Sequence, residues 1–495
     1  MNIISTLVMV VLNMTILTQS SYADAEIKVA SKLFTENVIL GDIAATIAKA
    51  KGFESKHIHD LGGSQILFKA LRHGEINIYP EYTGTISVEL LKGKSTDWRK
   101  SLEDMGILAT EPLGFNNTYA LAMKRDLASK LGIKKIFDLV NHPDLRYGLG
   151  NEFMSRNDGW PGVVETYSLK AKNVTGMQHD LAYRGLEGGS VQVMDAYSTD
   201  ADIEYYDLVT LEDDKKYFPE YYGVFLFRKE LVNSHPELVA ALKSLSGTLS
   251  DEKMTSLNAK VKIEKMASVS VAEDFVQEAL GQKVEKQEVS KFDSLLKNTS
   301  DHIFLSGMSL LAAILIAVPL GVLAAKVSSL GRVILGVVGM VQTIPSLALL
   351  VFFIPFFGIG AAPALVALFL YSLLPIVQNT YQGVSDISPD LKESAVVMGL
   401  PAGMQLRKIE IPLAMSSIIA GIKTAAVINI GTATLGAIIG AGGYGQPILT
   451  GIRLDDTALI LSGAIPACIL AILAQTVFGG LEYLMVPKGL RAKTS

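Results

Sequence analysis

The sequence predicts two folds in series: a two-lobed α/β domain, then an all-α transmembrane domain of about five spans. Three observations predict it. Charge is segregated along the chain, strand-like and helix-like apolar runs alternate before residue 303, and apolar runs of roughly 20 residues follow one another after it. Of the 495 residues 49% are hydrophobic and only 19% charged, against about 25% charged in ordinary soluble chains. The average hides a break. From Ile303 to the end, 193 residues hold ten Lys/Arg and seven Asp/Glu, whereas the first 302 hold 34 and 42. The first part is therefore mildly acidic and soluble in composition, with no basic stripe to hold a nucleic acid.

The N-terminus comes first. Residues 3–17 form an apolar run of leader length, and Ser21-Tyr22-Ala23 places small residues where a signal peptidase reads. Residues 1–23 are thus expected to be a signal peptide, or an uncleaved N-terminal anchor, and the domain after them to be exported. Cys468 is the only cysteine, which excludes an internal disulfide and a Cys-based metal site. No cofactor and no metal is expected.

In the exported half, IKVAS (27–31) reads as a strand and ENVILGDIAATIAKAKG (36–52) as a helix. INIYPEY, YALAMK, RYGLG and VQVMDAY read as further strands. This alternation argues for mostly parallel sheets. Residues 25–285 suit two lobes, lobe 1 from 25–119 and 222–285 and lobe 2 from 120–221, with crossovers near Tyr119 and Tyr221. A linker is expected over 286–302 and a membrane domain over 303–495.

The spans are expected near 303–325, 333–357, 361–385, 413–440 and 457–481. With the N-terminal domain outside, Lys326, Arg332, Lys392, Arg407, Lys408, Lys488, Arg491 and Lys493 fall on the cytoplasmic side and Arg453 outside, which satisfies the positive-inside rule. Lys423 sits inside the fourth span and is expected to face protein or the cytoplasmic interface. Pro319, Pro345, Pro355, Pro363 and Pro375 suggest kinked or broken helices.

The 386–412 loop reads DISPDLKESAVVMGLPAGMQLRKIEIP. It resembles the EAA loop of ABC-importer permeases: Glu393-Ser394-Ala395, then Gly399, then Ile409 and Pro412, with Ser in one Ala position. The resemblance implies a short cytoplasmic helix, stopped at Gly399, that docks into an ATPase. No G-x-x-x-x-G-K-[ST] loop occurs in the chain, so the ATPase must be a separate polypeptide.

In the exported half, KLFTE (32–36), LGGS (61–64), EYTGT (81–85), PLGFNNTYALAM (112–123), EFMSRNDG (152–159), DAYSTD (195–200) and FPEYYG (218–223) follow in order. Together they resemble substrate-binding proteins of the OpuC/ProX type, which take glycine betaine, choline and related compounds. The resemblance implies a periplasmic-binding-protein fold fused to its own permease. Tyr82, Tyr119, Tyr197 and Tyr221 would form an aromatic cage, with Tyr222 as the rival to Tyr221. Arg156 and Lys32, with Thr85 nearby, would form an anion end, and Asp158 would hold the Arg156 loop.

The chemistry suits such a ligand. A quaternary ammonium has no N–H to donate, so aromatic faces hold it by cation–π attraction. A carboxylate needs Arg or Lys. Asn117, where some relatives carry Asp, removes a charge from the cation end and tilts the reading toward a zwitterion such as glycine betaine, carnitine or ergothioneine over bare choline.

The expected function is therefore the receptor-plus-permease subunit of an importer, multi-pass in the cell membrane, with its C-terminus cytoplasmic. Its partners would be a quaternary-ammonium ligand, a cytoplasmic ABC ATPase, a second copy of the permease and the lipid bilayer. A membrane-tethered sensor is the rival reading, and it lacks a cytoplasmic output domain in this chain. An enzyme is disfavoured because neither H-E-x-x-H nor G-x-S-x-G occurs.

Overall fold

A computed structural model of the chain describes residues 26–93, 97–281 and 290–486. The expected leader, part of the linker and the basic residues 488, 491 and 493 lie outside the described residues. Among the described residues, ten strands form two five-stranded sheets. Strands β1 (Ile27–Ala30), β2 (Ser55–Ile58), β3 (Ile78–Tyr82), β4 (Ile107–Ala109) and the late strand β10 (Gly223–Arg228) make the first, in the order β2-β1-β3-β10-β4. Strands β5 (Tyr119–Lys124), β6 (Arg146–Gly150), β7 (Asn173–Met177), β8 (Val193–Tyr197) and β9 (Leu208–Thr210) make the second, in the order β7-β6-β8-β5-β9. The chain crosses between the sheets through 110–118 and 211–222, and an Asn116–Tyr222 bridge ties the crossings together.

In each sheet four of the five strands run the same way, as expected, and the strand that enters from the other lobe is the exception. Strand β10 runs antiparallel to β3 and β4, and β5 runs antiparallel to β8 and β9. The reason is the crossing. Strands β3 and β8 end at the cleft between the lobes, whereas β5 and β10 begin there, as the pairs Tyr82–Gly223 and Tyr197–Tyr119 record. A chain that enters a sheet from the cleft must run against strands that leave by it. This topology also places β3 and β8 ends beside β5 and β10 starts, so four strand termini converge on one spot.

The Thr35–Ala50 helix is the core element of the first lobe. Val38, Ile39, Ile43 and Ile47 have no exposed surface, and the helix packs on the first sheet and on the Ser268–Leu280 helix. Burying each such side chain stabilises the lobe by roughly 1.5–3 kcal/mol. The Asp251–Lys262 helix contacts the Thr35–Ala50 helix, while its Lys262 forms an ion pair with Asp180 and another with Asp202 of the second lobe. It therefore bridges the two lobes.

Among the described residues of the second half, four helices are long and apolar enough to cross a membrane: Lys291–Lys326, Ala361–Ser385, 402–439 and Thr457–Met485. A fifth span is obtained only by joining Ser328–Thr343 to Ser346–Phe357, which meet at 97°. The span expected over 333–357 is therefore a bent pair, with the break at Pro345, one of the prolines that suggested broken helices. Pro345 supplies no N–H and holds the preceding Ile344 extended (φ −71°, ψ 127°), which interrupts the helix there. Polar contacts lock the bundle: Asn429 Nδ2 donates to Ser309 Oγ at 2.9 Å, and His302 Nε2 lies 2.9 Å from the Ile430 carbonyl.

Candidate functional site

The converging strand termini deliver the aromatic residues. Tyr82 ends β3, Tyr197 ends β8, Tyr119 opens β5 and Tyr221 precedes β10. The ring centroids of Tyr119 and Tyr197 lie 5.2 Å apart, and those of Tyr119 and Tyr221 lie 5.5 Å apart, edge to face. Phe34 joins the two lobes, 6.0 Å from Tyr82 and 5.3 Å from Tyr197. Phe153 and Phe218 complete the cluster around Tyr119, at 4.9 and 5.9 Å. Gly84 in EYTGT makes room for Tyr221, because a Cβ there would stand 2.7 Å from its ring. Tyr222 is not in the cluster. Its backbone N–H donates to Thr83 Oγ1.

The expected cations sit on the same rings. Lys32 Nζ lies 5.0 Å from the centre of the Tyr82 ring and is paired with the buried Glu81. The Arg156 carbon Cζ lies 5.6 Å from the centre of the Tyr119 ring. Arg156 forms a bidentate pair with Asp158, at 2.7 and 2.6 Å, and donates to Thr85 Oγ1 of the other lobe at 3.1 Å. Tyr221 in turn donates its hydroxyl to Asp158 at 2.8 Å. Burial works against the Arg156 charge, but Tyr119 and Asp158 hold it protonated. A cavity of about 230 Å³ lies beside Arg156, lined by Gly63, Ser64, Glu89 and Glu152.

Glu36, in the same KLFTE motif, is a central residue that sequence reasoning passed over. Tyr82 donates its hydroxyl at 2.7 Å and Asn117 its amide at 2.7 Å to Glu36 Oε1. Thr199 of DAYSTD and Asn258 donate to Oε2. Burial pushes the Glu36 carboxyl up to about 7, against the hydrogen bonds from Thr199, Tyr82 and Asn258. Asn117 is therefore neutral but stands 2.7 Å from a carboxyl group. This corner thus holds an ionisable carboxyl that Asn117 itself does not supply.

His179 is a second residue that no motif indicated. Its ring lies 4.5 Å from Tyr197 and between Asp195 and Asp200, at 3.3 and 3.2 Å. Burial would lower its pKa, but those two carboxylates raise it to about 10, so Tyr197 has a charged imidazolium on one side. Among the described residues, one group has metal-ligand types in reach of each other: Asp42, His57 and His59. Both imidazoles contact Asp42 Oδ1, at 2.6 and 2.9 Å, and His57 Nε2 contacts Ser31 Oγ at 2.8 Å. Asp42 Oδ1 takes both imidazole contacts, while Asp42 Oδ2 is buried without a hydrogen-bond partner.

In the membrane half, the Pro389–Val397 helix carries Glu393, Ser394 and Ala395 and ends before Gly399, whose φ of 74° suits a residue without Cβ. Ala395 is buried; Glu393 and Gly399 are exposed. Val396, Val397 and Met398 are exposed as well, Val397 at 87%. Ile409 and Pro412 are half-buried where the loop turns into the Ile411–Ala433 helix. Glu410 forms an ion pair with Lys326, so the loop lies at the end of the bundle where the first span finishes. The 358–360 turn and the Gly445–Arg453 helix lie at the other end, against the α/β half: the Ile359 N–H donates to Glu75 at 2.6 Å, and Arg453 reaches Asp60.

Two lobes closing on an aromatic cluster, joined to a helical bundle with a short helix at its far end, define a binding-protein-dependent importer in which receptor and permease share one chain. Comparison with known proteins gives the same division. Residues 25–278 match the family described as the substrate binding domain of the ABC-type glycine betaine transport system, and residues 317–489 match the binding-protein-dependent transport system inner membrane component. The chain belongs to this glycine-betaine-type ABC transport family, as a fused receptor and permease.

It is 44% identical over 197 residues to the "Glycine betaine/carnitine/choline transport system permease protein OpuCB" of Bacillus subtilis, covering 40% of this chain and 91% of that one. It is 32% identical over 258 residues to the "Ergothioneine transport permease/ergothioneine binding protein EgtU" of Helicobacter pylori, covering 50% of this chain and 47% of that one. A solved glycine betaine/carnitine/choline ABC transporter structure covers 51% of this chain and 98% of its own at 29% identity and a TM-score of 0.43. The family places the chain in the membrane as a multi-pass subunit that works with a ligand and an ATPase.

Proposed function

We propose that this subunit imports a trimethylammonium compound, with its receptor on the extracytoplasmic side and its C-terminus cytoplasmic. The observation that carries the reading is the placement of Tyr82, Tyr119, Tyr197 and Tyr221 around one spot, with Arg156 and Lys32 at its edge. Aromatic faces contribute about 0.5–2 kcal/mol each toward a quaternary ammonium, and the guanidinium and ammonium groups suit a carboxylate. Glycine betaine and carnitine fit both ends. Relatives named for choline and for ergothioneine support the same class, and ergothioneine is the second reading because a fused relative carries that name.

The chain does no chemistry on its ligand in this reading. Lobe closure captures the ligand, and a separate ATPase drives release into the bundle. The exposed Val396, Val397 and Met398 beside Glu393 support docking of that ATPase on the Pro389–Val397 helix. Two copies of the permease would pair to form the path.

A calorimetric panel of glycine betaine, carnitine, choline and ergothioneine on the full chain in detergent tests the ligand class. Heat of binding is expected from at least one, and none from all four would refute it. Tyr119→Ala and Tyr197→Ala should each weaken binding by about 1 kcal/mol or more. Arg156→Ala should hurt glycine betaine far more than choline. Equal losses would make Arg156 structural, through its pair with Asp158.

A further inference from the structure

The Asp42, His57 and His59 group lies outside the aromatic cluster, and neither ligand capture nor ATPase docking uses it. Strand β2 is an edge strand of the first sheet. Its alternation sends His57 and, two residues on, His59 to one face, where both rings meet Asp42 of the Thr35–Ala50 helix. Gly41 makes the approach possible, because a Cβ there would overlap the His57 ring. The two imidazoles stand edge to face with centroids 4.0 Å apart. One ligand atom from each of the three residues lies within 4.8 Å of the other two.

Hydrogen bonding alone does not account for the arrangement. The Asp42 side chain is 2% exposed, and its Oδ2 has lost water without gaining a partner. His57 has the surroundings of a metal ligand. Its Nδ1 faces the carboxylate, and its Nε2 lies 2.8 Å from Ser31 Oγ. Donation from Nε2–H to that hydroxyl fixes the tautomer whose Nδ1 carries a free lone pair. In that tautomer Nδ1 and Asp42 Oδ1, 2.6 Å apart, are two acceptors face to face, and a cation reconciles them. The other tautomer satisfies Oδ1 but leaves Oδ2 bare. With both imidazoles neutral, Asp42 and Asp60 bring two negative charges to this corner and Arg453 one positive charge, so the corner is net negative.

We propose that Asp42, His57 and His59 form a binding site for one divalent metal ion of the zinc class. Two imidazoles and a carboxylate are a donor set that Zn²⁺ takes, whereas Mg²⁺ and Ca²⁺ prefer oxygen alone. A carboxylate that holds the ion through both oxygens gives Oδ2 its partner. Three protein ligands leave a fourth position, and His59, 29% exposed, opens it to water. The ion ties edge strand β2 to the helix that also carries Glu36, so it clamps the first lobe. The site depends neither on the transport reading nor on the identity of the transported ligand.

The test is a Zn²⁺ titration of the untagged full chain in detergent, stripped with a chelator and then dialysed free of it. A Cys468→Ser background removes the one thiol. Calorimetry should show one Zn²⁺ per chain, with a rise in melting temperature. His59→Ala should weaken binding about a hundredfold or more and abolish that rise, and Ser31→Ala should weaken it about tenfold or more. Co²⁺ in place of Zn²⁺ should give visible d–d absorption that His59→Ala loses. His73 is exposed and remote in sequence from the group, so His73→Ala should change nothing. No Zn²⁺ binding, or equal binding in the background chain and His59→Ala, leaves a hydrogen-bonded triad only and overturns the site. Binding that disappears with His73→Ala marks an adventitious surface ion and overturns it too. Should His59→Ala fail to fold, His59→Gln carries the same expectation.

Discussion

Glu36 shows how one side chain organises the site. It accepts from the first lobe (Tyr82), a crossing segment (Asn117), the second lobe (Thr199) and the bridging helix (Asn258). Four donors on one carboxylate make it costly to replace. A glutamine offers one acceptor atom and one N–H₂, so the Asn117 and Asn258 amides cannot both stay paired, at a cost of about 1–3 kcal/mol. The pH dependence follows from its pKa, raised from 4.5 to about 7. Between those values the folded chain holds a proton that the unfolded chain does not. The stabilisation is therefore full below about 4.5 and lost as pH rises through about 7, worth roughly 3 kcal/mol at most. The gap in melting temperature between the wild type and Glu36→Gln should shrink from about pH 5 to about pH 8. Taking the gap cancels His57, which burial pushes down to about 4 and which opposes Glu36 on the acid side. A gap that stays flat would mean that Glu36 does not titrate there.

At the scale of elements, each functional helix or strand is set by a small steric fact. Gly84 lets the turn after β3 approach Tyr221, so Gly84→Leu should push that ring out of the cluster and weaken ligand binding about tenfold or more, without lowering expression. Binding titrations check it, and unchanged affinity would remove Tyr221 from the site. Gly399 ends the Pro389–Val397 helix at positive φ, where a side chain costs about 1–2 kcal/mol. The exposed apolar residues after Glu393 have no cover among the described residues, as expected of a surface that meets a partner. Val397→Asp should release the ATPase in co-purification, and Glu393→Arg should separate ATP hydrolysis from uptake while ligand binding stays intact. Unimpaired uptake in Glu393→Arg would refute the assignment of this helix as the coupling element.

For the whole molecule, the consequence of fusion is concentration. A tethered receptor meets its own permease at an effective concentration of order millimolar, so the dock at Asp60 and Glu75 need not be tight to be occupied. A protease site inserted after Gly281 allows the test. Cleavage should lower uptake at low receptor density, and added free receptor should restore it. Uptake that is insensitive to cleavage would mean the dock alone holds the halves together.

Several features were legible in the residues themselves. Charge segregation separated receptor from permease, since ions avoid lipid and apolar side chains avoid water. The motif tyrosines, Arg156 and the Glu393–Gly399 segment could be named because the short motifs that carry them resemble those of a known family. Tyr221 and Tyr222, neighbours in sequence, could not be separated, because only the start of β10 decides which ring turns inward. Phe34, Glu36 and His179 escaped notice because their partners lie on other elements, up to 222 residues away in the Glu36–Asn258 bond. The antiparallel entry of β5 and β10 and the 97° angle between the two halves of the broken helix were decided by the tertiary structure alone. Each depends on where a strand enters or where a bundle leaves room for a bend, and these are long-range constraints that no local run of residues carries.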